Sequence, residues 1–231
     1  MSEFLQITLL PLALTVGVYQ FGLWVQKKLR SPLFNPILIS VVMILGFLAI
    51  TKMEVATYQA GMKAISWMLT PATICLAIPL YQQFSVLKKQ LPAILAGITA
   101  GSIASLGFVL GWSVLWQYDR ALLMSLLPKS VTSAIGVPLA EMGGGLSPIT
   151  TTAIILTGIL GSLLGPLFCK VFRLRTEIAQ GVAFGTAAHV IGTTKANEFS
   201  PLTGAVSSLS LVIAGLITAV LFPLLLQIVQ R

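Results

Sequence analysis

Charged residues punctuate long apolar runs, and the distances between them outline how the chain meets a membrane. An ionisable group at mid-bilayer costs at least about 2.5 kcal/mol, so an uncharged gap of about 20 residues marks a candidate span. Six gaps qualify: Glu3 to Lys27 with 23 uncharged residues, Arg30 to Lys52 with 21, Lys63 to Lys88 with 24, Lys89 to Asp119 with 29, Glu141 to Lys170 with 28 and Glu198 to Arg231 with 32. The first four predict ordinary crossings, and the last two supply long segments of the same kind. Two regions break the pattern. Lys129 cuts the stretch from Arg120 to Glu141 into pieces of 8 and 11 uncharged residues, neither able to span alone. Between Glu177 and Lys195 the 17 uncharged residues include three Gly, three Thr and His189. Interrupted helices are expected in both places.

Composition turns this pattern into a class. The 231 residues are 56% apolar and 9% charged, with mean hydropathy +0.97, whereas about a quarter of the residues in a soluble domain are charged. Such a length leaves room for about seven to nine crossings and no sizeable soluble domain. The expectation is an all-α polytopic membrane protein with about seven or eight membrane elements in a single transmembrane domain, residues 1–231. Met1-Ser2-Glu3-Phe4 lacks the positive region and cleavage site of a signal peptide, so the first apolar segment is expected to stay in the mature protein.

The net charge of +8 comes from small basic clusters between apolar runs, which read as topology signals and not as a nucleic-acid surface. Lys27, Lys28 and Arg30, then Lys88 and Lys89, then Lys170, Arg173 and Arg175 are expected in the cytoplasm, with the N-terminus outside. From Lys89 to Lys170 there are three candidate elements where an even number of crossings is needed. The element from Asp119 to Glu141 is therefore read as a re-entrant or broken hairpin with Lys129-Ser130 near its tip. Irregular backbone at that depth requires protein or a water-filled cavity around it. A faint internal echo, Ser31-Pro32 with Ser147-Pro148 and Pro92 with Pro201, predicts two inverted repeats, 1–117 and 118–231, with a substrate site between them.

The chemistry concentrates in the two breaks. In Leu126-Leu127-Pro128-Lys129-Ser130-Val131-Thr132-Ser133, Pro128 ends the incoming helix. Ser130 or Thr132 can cap the next one, and a Lys beside such a helix start makes an anion site. The bland alternative has Lys129 snorkelling to an interface or pairing with Glu141. In the segment Gly185 to Glu198, Gly192 allows an unwound turn, and Thr193 is one of three Thr able to meet a ligand. His189 can change protonation near neutral pH, with Glu198 a second candidate for proton coupling. The alternative is a neutral His inside the bundle, with Lys195 and Glu198 at the interface.

Asn35-Pro36 forms a similar polar break in the second span, and the run Leu69 to Tyr81 carries two prolines and should kink. Four Gly-xxx-Gly pairs, beginning at Gly97, Gly107, Gly161 and Gly181, read as packing devices. Trp24, Trp112, Trp116, Tyr58 and Tyr81 read as interfacial anchors. One His and two isolated Cys give no metal, disulfide or cofactor framework, and no P-loop, G-x-S-x-G or H-E-x-x-H motif occurs, so no enzyme and no cofactor are expected.

These elements resemble the LrgB/CidB family of bacterial membrane proteins, which is related to the C-terminal half of the plastidial glycolate/glycerate transporter. The resemblance rests on Asn35-Pro36, the Pro71 to Tyr81 stretch, Leu127 to Thr132, Thr157 to Gly161, Gly185 to His189, Gly192-Thr193 and Gly204 to Leu209. The sequence departs from the family at Ser133-Ala134, where relatives often have Thr-Pro, and at Lys195, where Arg often stands. Lys keeps the charge there but lacks the bidentate geometry of Arg. The resemblance implies a multi-pass protein of the bacterial cytoplasmic membrane, a homo- or hetero-oligomer working with a small holin-like subunit of the LrgA/CidA type. Two functions follow from it: transport of small carboxylates such as glycolate, glycerate or pyruvate, or antiholin-like control of murein hydrolase activity and programmed cell lysis. Two charge-bearing breaks favour transport. The substrate-binding residues expected are Lys129, Ser130, Thr132, His189, Thr193, Lys195 and Asn35.

Overall fold

A computed structural model describes residues 9–29, 34–75 and 77–229 of the chain; the N-terminus, Glu3, Arg30, Ser31-Pro32 and Arg231 lie outside the described residues. Among the described residues every regular element is a helix. The helices form two compact units, Met1–Cys75 and Leu76–Arg231.

The first unit holds α1 (Leu10–Leu29), α2 (Pro36–Thr51), α3 (Val55–Gly61), α4 (Lys63–Trp67) and α5 (Leu69–Cys75). Asn35 starts α2, because its side-chain oxygen accepts from the Ile37 amide at 2.8 Å and Pro36 gives up no hydrogen bond at the first helical position. A left-handed Lys52 (φ 53°) ends α2 after 16 residues. That is about 24 Å at 1.5 Å per residue, short of a hydrocarbon core of about 30 Å. α1 packs on α2 where Gly22 approaches the Pro36 backbone. The hydroxyls of Thr15 and Tyr58 meet at 2.5 Å, so Tyr58 is tied to α1 in addition to any interfacial role.

The second unit holds α6 (Ala77–Gln82), α7 (Phe84–Leu115), α8 (Arg120–Leu126), α9 (Ser133–Met142), α10 (Ser147–Val171), α11 (Glu177–Phe199) and α12 (Pro201–Val229). Among the described residues three stretches are long and apolar enough to cross a membrane, Phe84–Leu115, Ser147–Val171 and Pro201–Gln227. The other expected crossings differ for visible reasons. α1 reaches 20 residues but interleaves Thr15, Tyr19, Gln20 and Gln26 with its apolar positions, and α2 is short. The Lys63 to Lys88 stretch, expected as one crossing, is interrupted among the described residues at Met68, between α4 and α5, and at Gln83, between α6 and α7. Pro71 stands third in α5. A proline lacks the amide donor and clashes with the preceding turn, so it is tolerated in the first turn of a new helix and not within a continuous one.

α12 packs along α11, α7 and α6, and α10 packs on α11. Two apolar clusters fix this arrangement. Ile94 and Ile98 of α7 meet Val206 and Ala214 of α12, and Leu106 and Val109 meet Leu123, Met124, Leu127 and Phe222. Small residues let the backbones close in: the α11 glycines Gly181 and Gly185 lie against Thr203 to Val206 and Ser207 to Ser210 of α12. The pairs beginning at Gly97 and Gly161 also sit at helix contacts. Gly107 and Gly111 do not, since nothing lies within 4 Å of a Cβ built on either.

Candidate functional site

Both predicted breaks are helical hairpins in the second unit. In the first, Asp119 caps α8 by accepting from the Leu122 amide at 2.9 Å, and α8 ends at Leu126, with Leu127 as its C-cap directly before Pro128. Thr132 takes an extended conformation at the N-cap of α9 without using its side chain, leaving the helix start to the Gly136 amide bonded to the Thr132 carbonyl at 2.8 Å. The return loop is held against α8, because the Ser125 hydroxyl accepts from the Leu146 amide at 2.7 Å and donates to the Ala121 carbonyl at 2.6 Å. Lys129 and Ser130 therefore sit at the tip between α8 and α9.

The second break lies at Ala188-His189 and not at Gly192. His189 adopts φ 43° and ψ −135°, where a residue with a Cβ is strained, and Ala188 is also non-helical (φ −130°, ψ 15°). The second arm of α11 turns back on the first. The rings of Phe184 and Phe199 lie 5.5 Å apart, whereas a straight helix would separate these two positions by about 22 Å. Gly192 permits the return, since a Cβ there would stand 2.5 Å from the Phe184 carbonyl. The imidazole props the bend from inside: His189 Nε2 donates to the Ile154 carbonyl at 2.9 Å, and the His189 carbonyl accepts from Thr193 Oγ1 at 2.9 Å.

A cavity of about 720 Å³ lies between α7, α10, the first arm of α11 and the tip of the α8–α9 hairpin. Its polar groups are few: Lys129, Ser130, Ser105, Thr157 and Thr186 line it. Lys129 is half-buried, and its ammonium donates to Ser130 Oγ at 3.0 Å. A 2.9 Å hydrogen bond joins Ser130 to Ser105. Among the described residues the one ion pair is Lys195 with Glu198, 2.5 Å apart, so Lys129 has no carboxylate partner. Glu141 instead accepts from Ser147 Oγ at 2.5 Å. Thr186, 6% exposed, holds a hydroxyl with no hydrogen-bond partner, and Ser102 does the same beside it in a small void shared with Ser105 and Ser130.

The structure thus brings Lys129 and Ser130 together at the cavity. Thr132, His189, Thr193 and Lys195 are not in its lining. Thr193 is buried against Ser207 at 2.8 Å, and Lys195 and Glu198 pair on the second arm of α11. The cavity wall contributed by α11 is therefore Thr186, Ala187 and Ala188, on the arm before the bend. Asn35 belongs to the first unit, where it caps α2. Sequence reasoning missed Ser105 and Thr157 as lining residues. Each lies beside or near a glycine in an apolar helix, a signal indistinguishable from ordinary packing.

An all-α membrane protein with two helical hairpins and a cationic cavity is the class these features define. The chain belongs to the LrgB-like family, which matches residues 15–228. It is 37% identical over 224 residues to the uncharacterized protein YwbG of Bacillus subtilis (strain 168), covering 96% of this chain and 98% of that protein. No solved structure matches the chain.

Proposed function

We propose that the protein transports small monocarboxylates across the bacterial cytoplasmic membrane, working with a small holin-like membrane subunit. The observation that carries this reading is Lys129: an ammonium with no carboxylate partner among the described residues, at the tip of a hairpin, on the wall of a 720 Å³ cavity. An isolated charge is expensive at such depth, and an anionic ligand offsets that cost through charge-assisted hydrogen bonds. Ser130, bonded to Lys129 at the cavity wall, adds a neutral hydroxyl for the second carboxylate oxygen. The glycolate, glycerate or pyruvate expected from the family resemblance carry the required charge. In this reading His189 is a structural post for the bend in α11, and the pair Lys195–Glu198 braces its second arm.

The experiment is uptake of labelled pyruvate, glycolate and glycerate into liposomes holding this protein, the small holin-like subunit, or both. The reading predicts uptake that requires this protein and is lost in Lys129→Ala. Uptake carried by the small subunit alone, and only modulated by this protein, contradicts it and favours the antiholin-like role. Topology is tested in parallel: single cysteines beside Lys28 and Lys88 should resist an impermeant reagent added outside intact cells, and labelling there contradicts the proposed orientation.

A further inference from the structure

The cavity is polar at one end only. Contacts between helices set its levels. Gly101 faces Thr186 and Gly97 faces Val182, while Gly161 faces Ala188 and Gly165 faces Phe184. α7 and the first arm of α11 therefore run in parallel and α10 runs against them. Ser105, Thr157 and Thr186 consequently fall at the Lys129 end. Beyond them the lining is Leu164, Phe168, Val182 and Phe184, with Phe172 and Leu174 past the end of α10. From Thr157 to Phe168 the wall of α10 extends about 16 Å at 1.5 Å per residue.

A three-carbon acid leaves most of this space unused. Pyruvate has six heavy atoms, about 180 Å³ at most if each takes the roughly 30 Å³ share of a water molecule, against 720 Å³ available. The apolar end of the cavity is an open groove, where Phe168 and Phe172 are 51% and 67% exposed, so a ligand with an apolar body is covered there on one side by Leu164, Val182 and Phe184.

We propose that the site selects monocarboxylates bearing a branched or aromatic apolar body, with the carboxylate at Lys129 and Ser130 and the body against Leu164, Phe168 and Val182. This deepens the carboxylate reading above and rests on it. Affinity then rises with apolar size until the wall is covered. The three carbons that 4-methyl-2-oxopentanoate adds to pyruvate contribute about fourfold each if fully buried, which predicts a gain between roughly tenfold and sixtyfold.

The test is equilibrium binding of pyruvate, 4-methyl-2-oxopentanoate and phenylpyruvate to the purified full-length chain in nanodiscs, with Lys129→Ala subtracting partition into lipid. Two further variants, Ala183→Phe and Leu164→Trp, each place a ring in the apolar region away from Lys129, so the test survives if one of them fails to fold. The expected result is an affinity order phenylpyruvate and 4-methyl-2-oxopentanoate above pyruvate, abolished for all three by Lys129→Ala and reduced for the two larger acids alone by the filling variants. Equal, Lys129-dependent binding of all three acids overturns the size selectivity and leaves the carboxylate reading intact. Binding that ignores Lys129 overturns both.

Discussion

His189 Nε2 donates to the Ile154 carbonyl at 2.9 Å, pinning α10 to the bend that divides α11 into two arms. A carbonyl only accepts, so Nε2 carries the proton in this contact. The same residue sits at φ 43°, so the contact is made from a strained backbone. Replacement by Ala removes the hydrogen bond and keeps the strain, whereas Gly removes both. Relief of about 1–3 kcal/mol of strain outweighs the extra chain entropy of Gly, about 0.5–1 kcal/mol. Thermal unfolding of the purified variants should rank His189→Gly above His189→Ala, and the reverse order would show that the bend relaxes without His.

The imidazole does not line the cavity. His189→Gln can still donate to Ile154 but cannot titrate, so its carboxylate accumulation should respond to an imposed pH gradient as the parent does. Loss of that response in correctly inserted protein would return His189 to a proton-coupling role.

Thr186 carries a buried hydroxyl without a partner. An unsatisfied buried group costs about 1–3 kcal/mol, and Thr→Val keeps the shape while removing it. Thr186→Val should therefore leave the melting temperature unchanged or raise it, with carboxylate affinity unaltered, because the hydroxyl has no surface open to the cavity. A loss of stability, or weaker carboxylate binding, would contradict this expectation.

The glycines separate by what faces them. A Cβ on Gly185 would stand 2.3 Å from the Ser207 carbonyl, whereas one on Gly107 meets open space. Gly185→Ala should destabilise by about 1–3 kcal/mol through overpacking. Gly107→Ala should be neutral or stabilising by up to about 1 kcal/mol through helix propensity. Similar melting temperatures for the two variants would contradict the α11–α12 contact.

How far the sequence revealed this arrangement depends on the kind of signal. Lys129 beside Pro128 was legible because a charge and a helix breaker in an apolar stretch each have one physical meaning, and together they mark a hairpin tip. The second hairpin was legible as an interruption, yet its turn falls at His189 while Gly192 supplies the close approach. A glycine in sequence does not tell whether its missing Cβ serves a turn or a contact. The proline at 71 announced a kink, but counting uncharged residues concealed the interruptions at Met68 and Gln83 that divide the segment. Ser105 and Thr157 join the site through helices packed in register, which no local spacing encodes.

The most direct test of the central claim is substrate counterflow in proteoliposomes, comparing the parent with Lys129→Ala and Lys129→Arg. A charge-assisted hydrogen bond of about 1.5–3 kcal/mol predicts an apparent affinity for pyruvate about ten- to a hundredfold weaker in Lys129→Ala, with partial recovery in Lys129→Arg and normal insertion of both. Counterflow by correctly inserted Lys129→Ala with the parent's affinity and rate would contradict the claim that this ammonium binds the transported anion.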